Sequence, residues 1–80
     1  MSTLLPLCAV YDKKTGLYDT PFTVRHIAEA IREWDVVKKN ENTKFAKHPE
    51  DYDLFQIGTF DYQTAQLTTL TPHTHLAGGI

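Results

Sequence analysis

The segment Lys47-His48-Pro49-Glu50-Asp51-Tyr52-Asp53-Leu54-Phe55-Gln56-Ile57-Gly58-Thr59-Phe60 joins a charged turn directly to the most apolar and aromatic stretch of the chain. Pro49 suits the first helical position, where its missing N–H is no loss, and Glu50 and Asp51 complement the positive end of a short helical turn. Then the period changes. Leu54, Phe55, Ile57 and Phe60, with helix-unfriendly Gly58 and β-favouring Thr59 among them, predict a strand over 52–61. Strict alternation fails, because Phe55 and Ile57 share one face while Leu54 and Phe60 share the other. Either both faces of this strand are covered or Gly58 marks a bulge.

Upstream, residues 24–39 keep helical time. Val24, Ile27, Ile31, Trp34 and Val37 recur at spacings of three and four, and Ala30 beside them allows close approach to a sheet. That spacing makes Trp34 a core residue rather than a stacking platform. Thr23 is the expected N-cap, Lys38 and Lys39 suit the negative end of the dipole, and Asn40 can end the helix in a left-handed conformation. A polar loop, 40–46, follows, with Phe45 as an anchor under the helix end.

The N-terminal run Leu4–Tyr11 reads as a strand that starts at a sheet edge, because Pro6 cannot donate a ladder hydrogen bond. Asp12–Gly16 supplies a turn and Leu17-Tyr18 a short return strand, while Pro21 makes 19–22 a connection. After the central strand, 61–66 reverses the chain into a last strand, Leu67–Leu70. Residues 71–80, with Pro72, Gly78 and Gly79, show no periodicity and read as a flexible C-terminal tail. The expected architecture is α+β: one domain over residues 1–70, ordered ββαββ, with one helix on a small antiparallel sheet of three to four strands.

Eighty residues with a formal charge of −2 bound the function. A domain this small buries about 60% of the surface its unfolded chain exposes, so a second copy would help it. Cys8 is the single cysteine, which precludes an internal disulfide, fits a reducing compartment and reads as a small buried hydrophobe. Residues 4–10 are apolar but too short to span a bilayer, lack a basic flank and contain Pro6. A cytoplasmic protein without a membrane segment is expected.

Charge is uneven along the chain. Arg25, Arg32, Lys38, Lys39, Lys44 and Lys47 face four acids between residues 25 and 47, leaving that region at +2 and the remainder at −4. Arg25, Arg32 and Lys39 lie seven residues apart, on one stripe of the predicted helix. With the other lysines they form the candidate nucleic-acid-binding surface, Phe45 and His48 being available to stack. The competing reading is a solvated helix face laced by Arg25–Glu29 and Asp35–Lys39 pairs, each worth a few tenths of a kcal/mol.

Other chemistry finds little footing. His73-Thr74-His75 puts two imidazoles on one side of an extended chain, but His26, His48 and Cys8 lie in three other elements, so no zinc set assembles. No nucleophile elbow, phosphate-cradling loop or acid/base pair is present, and neither an enzyme nor a cofactor is expected.

The residues Pro21-Phe22, then Ala30-Ile31-Arg32-x-Trp34, then Lys47-His48-Pro49-Glu50-Asp51-Tyr52-x-Leu54-Phe55-x-Ile57-Gly58-x-Phe60-Asp61 resemble the small non-structural protein of gokushovirus-type microviruses, tailless phages with circular single-stranded DNA genomes. The likeness covers about residues 8–70. Family members commonly carry Gly near the end of the turn that follows, where this chain has Ala65. The resemblance implies a protein of the host bacterial cytoplasm, absent from the virion, acting in genome replication or packaging through DNA. Joined to the charge reading, it leads to a non-enzymatic homodimer binding single-stranded DNA through the basic surface, where doubling a weak patch raises affinity by multivalency. The alternative is an interaction module that recruits or inhibits a host or phage replication protein through the acidic turn Glu50-Asp51-Tyr52-Asp53 or a strand edge.

Overall fold

The segment 52–61 forms a strand with the bounds its composition predicts, Tyr52–Asp61 (β4), entered through a 3-10 turn over Pro49–Asp51 with Pro49 at its start. The computed structural model describes residues 3–80; Met1 and Ser2 of the expected 1–70 domain lie outside the described residues. β4 is the middle of the molecule. The strand Leu4–Asp12 (β1) pairs antiparallel along one side and Leu67–Gly78 (β5) along the other. Two further strands share the far edge of β1: Leu17–Tyr18 (β2) beside Tyr11 and Asp12, and Phe22–Thr23 (β3) beside Leu7 and Cys8. The sheet therefore has five strands in the order β2-β1-β4-β5, with β3 also on β1. The class is α+β as expected, while the strand count and the ββαββ order are corrected.

β4 has one face packed on the helix side and one left open, so the reading that both faces are covered is corrected. Leu54 is fully buried in the cluster formed with Cys8, Val10, Ala30 and Trp34. Its neighbour Phe55 faces the opposite side of the sheet, as alternation requires. A bulge does occur. Leu7 pairs with Gly58 but Cys8 with Gln56, so Ile57 has no partner on β1. On the other side Gln56 pairs with Thr74 and Gly58 with Thr69, so residues 70–73 bow out there, including the cis Thr71–Pro72 bond. Gly58 is required at this point because a Cβ would overlap the Thr68 carbonyl oxygen.

The helix is shorter than its apolar spacing predicts, spanning Ile27–Val37 (α1). Thr23 is not its cap. Phe22 and Thr23 join the edge of β1 and the Val24 N–H donates to the Pro6 carbonyl at 3.2 Å, so backbone pairing outweighs the modest helix propensity of Thr and Val. His26 takes the N-cap position without a side-chain cap bond. Ala30 and Trp34 are buried, with Ile27 and Val37 packed against them, whereas Ile31 leaves the stripe and is 38% exposed.

Residues 40–46 are less loop-like than expected. Thr43 caps a single helical turn, Lys44–Lys47 (α2), by accepting the Ala46 N–H, while its hydroxyl lies 3.0 Å from the Val37 carbonyl and 2.8 Å from that of Asn40. Phe45 is the anchor its position implies, edge-on to Trp34 at 5.1 Å and to Tyr52 at 4.9 Å between centroids.

The largest correction concerns 71–80. The expected four-residue strand is 12 residues long and takes in most of the presumed tail. Pro72 does not stop it, because it sits in the bowed segment of an outermost strand, where no ladder N–H is needed. The far end is held from the helix side: the Trp34 Nε1–H donates to the Gly78 carbonyl at 2.9 Å, and Lys38 Nζ reaches the same oxygen at 3.5 Å.

Substitutions at Ala65 and Gly58 test this account. Ala65 stands at φ 64 in the β4–β5 turn, a left-handed conformation that a β-carbon disfavours. Ala65→Gly is expected to raise stability in urea denaturation by about 1 kcal/mol. Gly58→Ala is expected to lower it by about 2 kcal/mol or more, because backbone must move. Equal stabilities for the three proteins would contradict the turn and bulge geometry.

Candidate nucleic-acid interface

The predicted basic residues are spread over α1, its two flanks and the turn Lys44–Lys47. Because α1 starts at Ile27 and ends at Val37, Arg25 precedes the helix and Lys39 follows it, so the stripe of Arg25, Arg32 and Lys39 does not exist as a helical row. Asp35 holds Lys39 at 3.1 Å and Lys38 at 3.7 Å, while Asp19 holds Lys44 at 3.1 Å. The Lys39 hydrogen bond is the main reason the Asp35 carboxyl lies below the usual range, and the Asp19 hydrogen bond is what raises Lys44. Lys44 also lies over the Phe45 and Tyr52 rings, at 5.5 and 5.8 Å from their centroids. Arg25, Arg32 and Lys47 are exposed, each on a different part of the chain.

The acidic turn is also less open than its sequence implies. Tyr52 is buried, and Asp53 lies 3.4 Å from both Lys13 Nζ and His75 Nε2. His48, Glu50 and Asp51 bring potential ligand atoms within 4.8 Å of one another at the surface, an arrangement common without a bound ion. The two tail histidines part company: His73 Nδ1 is 2.8 Å from the Tyr18 hydroxyl, while His75 turns to Asp53. Burial pushes the Cys8 thiol up, as suits a core residue.

Aromatic rings converge on the sheet face away from α1. Cys8, Val10 and Leu54 point toward the helix, so Ala9, Tyr11 and Phe55 point the other way. There Tyr11 and Tyr18 stand 4.7 Å apart between centroids, with Phe55 6.2 Å from the first and 6.3 Å from the second. His73 meets Tyr18 at 5.3 Å and His75 meets Phe55 at 5.3 Å. Among the described residues no helix packs on this face: Tyr18 is 42% exposed and the His75 side chain 53%. A row of accessible rings on an antiparallel sheet offers stacking surfaces for unpaired bases.

This cluster is missed when each strand is read alone. The available signals were alternation in Tyr11 and Phe55 and the His73-x-His75 spacing, but only the register of β1, β2, β4 and β5 brings them together.

The sequence matches the family model described as Phage ORF5 protein over residues 5–80. The chain belongs to the Phage ORF5 protein family. The match takes in all of β5, including the residues that read as tail. No curated protein and no solved structure matches this chain. Among the described residues, no helix is long and apolar enough to cross a membrane.

The aspartates define a pH response. The Gln63 N–H holds the Asp61 carboxyl low at the β4–β5 turn, as Lys39 holds Asp35. A carboxyl depressed in the folded state stabilises above its unfolded value, and that stabilisation is lost as pH falls through the folded value. The urea midpoint is therefore expected to be flat near neutrality and to fall below about pH 4. Asp61→Asn should flatten that acid limb; an unchanged limb would remove Asp61 from the account.

Proposed function

We propose that this phage protein is a non-enzymatic accessory factor that binds single-stranded DNA during genome replication or packaging in the host cytoplasm, outside the particle. The observation that carries this reading is the open ring cluster of Tyr11, Tyr18, Phe55, His73 and His75. In a duplex the faces of the bases are already stacked on one another; in a single strand they are free to lie on aromatic side chains, each contact being worth about 1–3 kcal/mol. Selection for single strands follows from that difference.

Phosphate attraction has the smaller share. The net charge is −2, and Lys38, Lys39 and Lys44 are already held by acids. Lys13 in the β1–β2 turn is likewise held, by Asp53 at 3.4 Å, which leaves Lys14, Arg25, Arg32 and Lys47 as exposed positive charge. The salt dependence is accordingly expected to be shallow for a DNA-binding protein.

A second reading, recruitment of a replication protein, is favoured by one feature on the helix side. A groove of about 380 Å³, lined by Val10, Phe22, Trp34, Val37 and Phe45, has Asp19 and Glu33 at its margin. An apolar segment carrying a basic residue would fit it. Recovery of one phage or host protein after nuclease treatment of an affinity pull-down would favour this reading over the first.

Fluorescence anisotropy with labelled single- and double-stranded oligonucleotides across a salt series separates the cases. Single strands are expected to bind more tightly, and Tyr18→Ala with His73→Ala to weaken them about tenfold or more. Arg32→Glu with Lys39→Glu is expected to reduce affinity less and to flatten the salt slope. No binding at low salt by folded protein, or full binding by the ring variant, would reject the ring surface.

A further inference from the structure

The two edges of the sheet differ. On one, β1 is flanked by two strands of two residues each. On the other, β5 is the terminal strand and, among the described residues, pairs with β4 alone. Its residues Leu67 to Gly78 include no Asp, Glu, Lys or Arg. Monomeric sheet proteins usually guard such an edge with charge, shortness, proline or a bulge. Pro72 and the bowed residues 70–73 guard the centre here, but Leu67–Thr69 runs in regular register beside Gly58–Phe60 and has no guard.

Exposed apolar side chains collect at the same end. Leu67 is 63% exposed, Tyr62 57% and Leu4 51%. Register places them together, since Leu5, Phe60 and Leu67 form one row across three strands, Leu4 pairs with Asp61, and the Tyr62 N–H donates to the Thr3 carbonyl.

We infer that a second copy of this chain pairs with this edge, antiparallel, at Leu67-Thr68-Thr69, with Thr68 on the two-fold axis. The occupant follows from the edge itself. An uncharged, threonine-rich strand is complementary to its own reverse, so a two-fold axis brings the same residues from both copies together and sets Thr68 opposite its own copy as a cross-strand Thr–Thr pair. The contact also covers Leu67 and adds to the core of a domain of marginal size. For antiparallel edges the axis stands perpendicular to the sheet, so the ring clusters of the two copies lie on the same side of one continuous sheet. The pairing needs no DNA. If DNA binds as proposed above, one strand can engage both clusters, and that consequence alone rests on the earlier reading.

The test is DNA-free. Sedimentation over a concentration series should show the wild-type protein passing from monomer to dimer, with amide exchange at 67–69 slowing about tenfold or more as the dimer forms. Leu67→Lys with Thr69→Lys should remain monomeric with an unchanged far-UV spectrum, while Val36→Lys, at a 64% exposed position on α1, should still dimerise. A wild-type protein that stays monomeric at roughly millimolar concentration overturns the inference. So does a dimer whose 67–69 amides exchange independently of concentration. If the double-lysine variant fails to fold, the wild-type exchange measurement decides alone, whatever the outcome of the oligonucleotide experiment.

Discussion

Everything in this fold depends on β4 having a partner strand on each side and side chains in use on both faces. β1 and β5 satisfy its backbone groups. Leu54 faces the helix and Phe55 the open side, so one strand serves both the core and the ring cluster. A strand committed on two edges and two faces cannot slip by one residue without moving Leu54 out of the core and Phe55 into it. The irregularity at Ile57 and Gly58 is where that commitment is adjusted: one extra residue resets alternation, and the missing β-carbon lets Thr68 approach.

The helix side is organised by aromatic contact. Trp34, Phe45 and Tyr52 pack edge to face, bringing together α1, α2 and the start of β4. Their polar handles are accommodated without disturbing the core. The indole N–H donates to the Gly78 carbonyl, and no buried side-chain polar atom among the described residues lacks a partner. The end of β5 thereby becomes part of the same cluster, with Leu76 and Ala77 packed against it.

Local sequence was a good guide wherever one element decided its own conformation. The bounds of β4, the proline-led turn before it, the Asp12–Gly16 turn and the anchoring role of Phe45 were all legible. Where two elements compete for the same residues it was a poor guide. Phe22 and Thr23 look like the approach to a helix until the vacant edge of β1 offers them hydrogen bonds. Residues 71–78 look like a tail because Pro72, two histidines and a glycine break every local pattern, and only the neighbouring β4 makes them a strand. The helical row of Arg25, Arg32 and Lys39 failed for a related reason, since its spacing assumes a helix longer than the one that forms. The ring cluster draws on four strands, so no single stretch announces it.

The distribution of chromophores has a practical consequence. The single tryptophan lies on the helix side, touching Phe45 and bonded to Gly78, so its emission reports the junction of α1, α2 and the end of β5. Tyr11 and Tyr18 lie on the opposite face, 4.7 Å apart. The indole can be excited alone at the red edge of its absorption, where phenols do not absorb, so its emission follows the interior without a contribution from the open face. A ligand on the open face would leave the tryptophan spectrum in place, whereas separation of α1, α2 and the end of β5 would shift it.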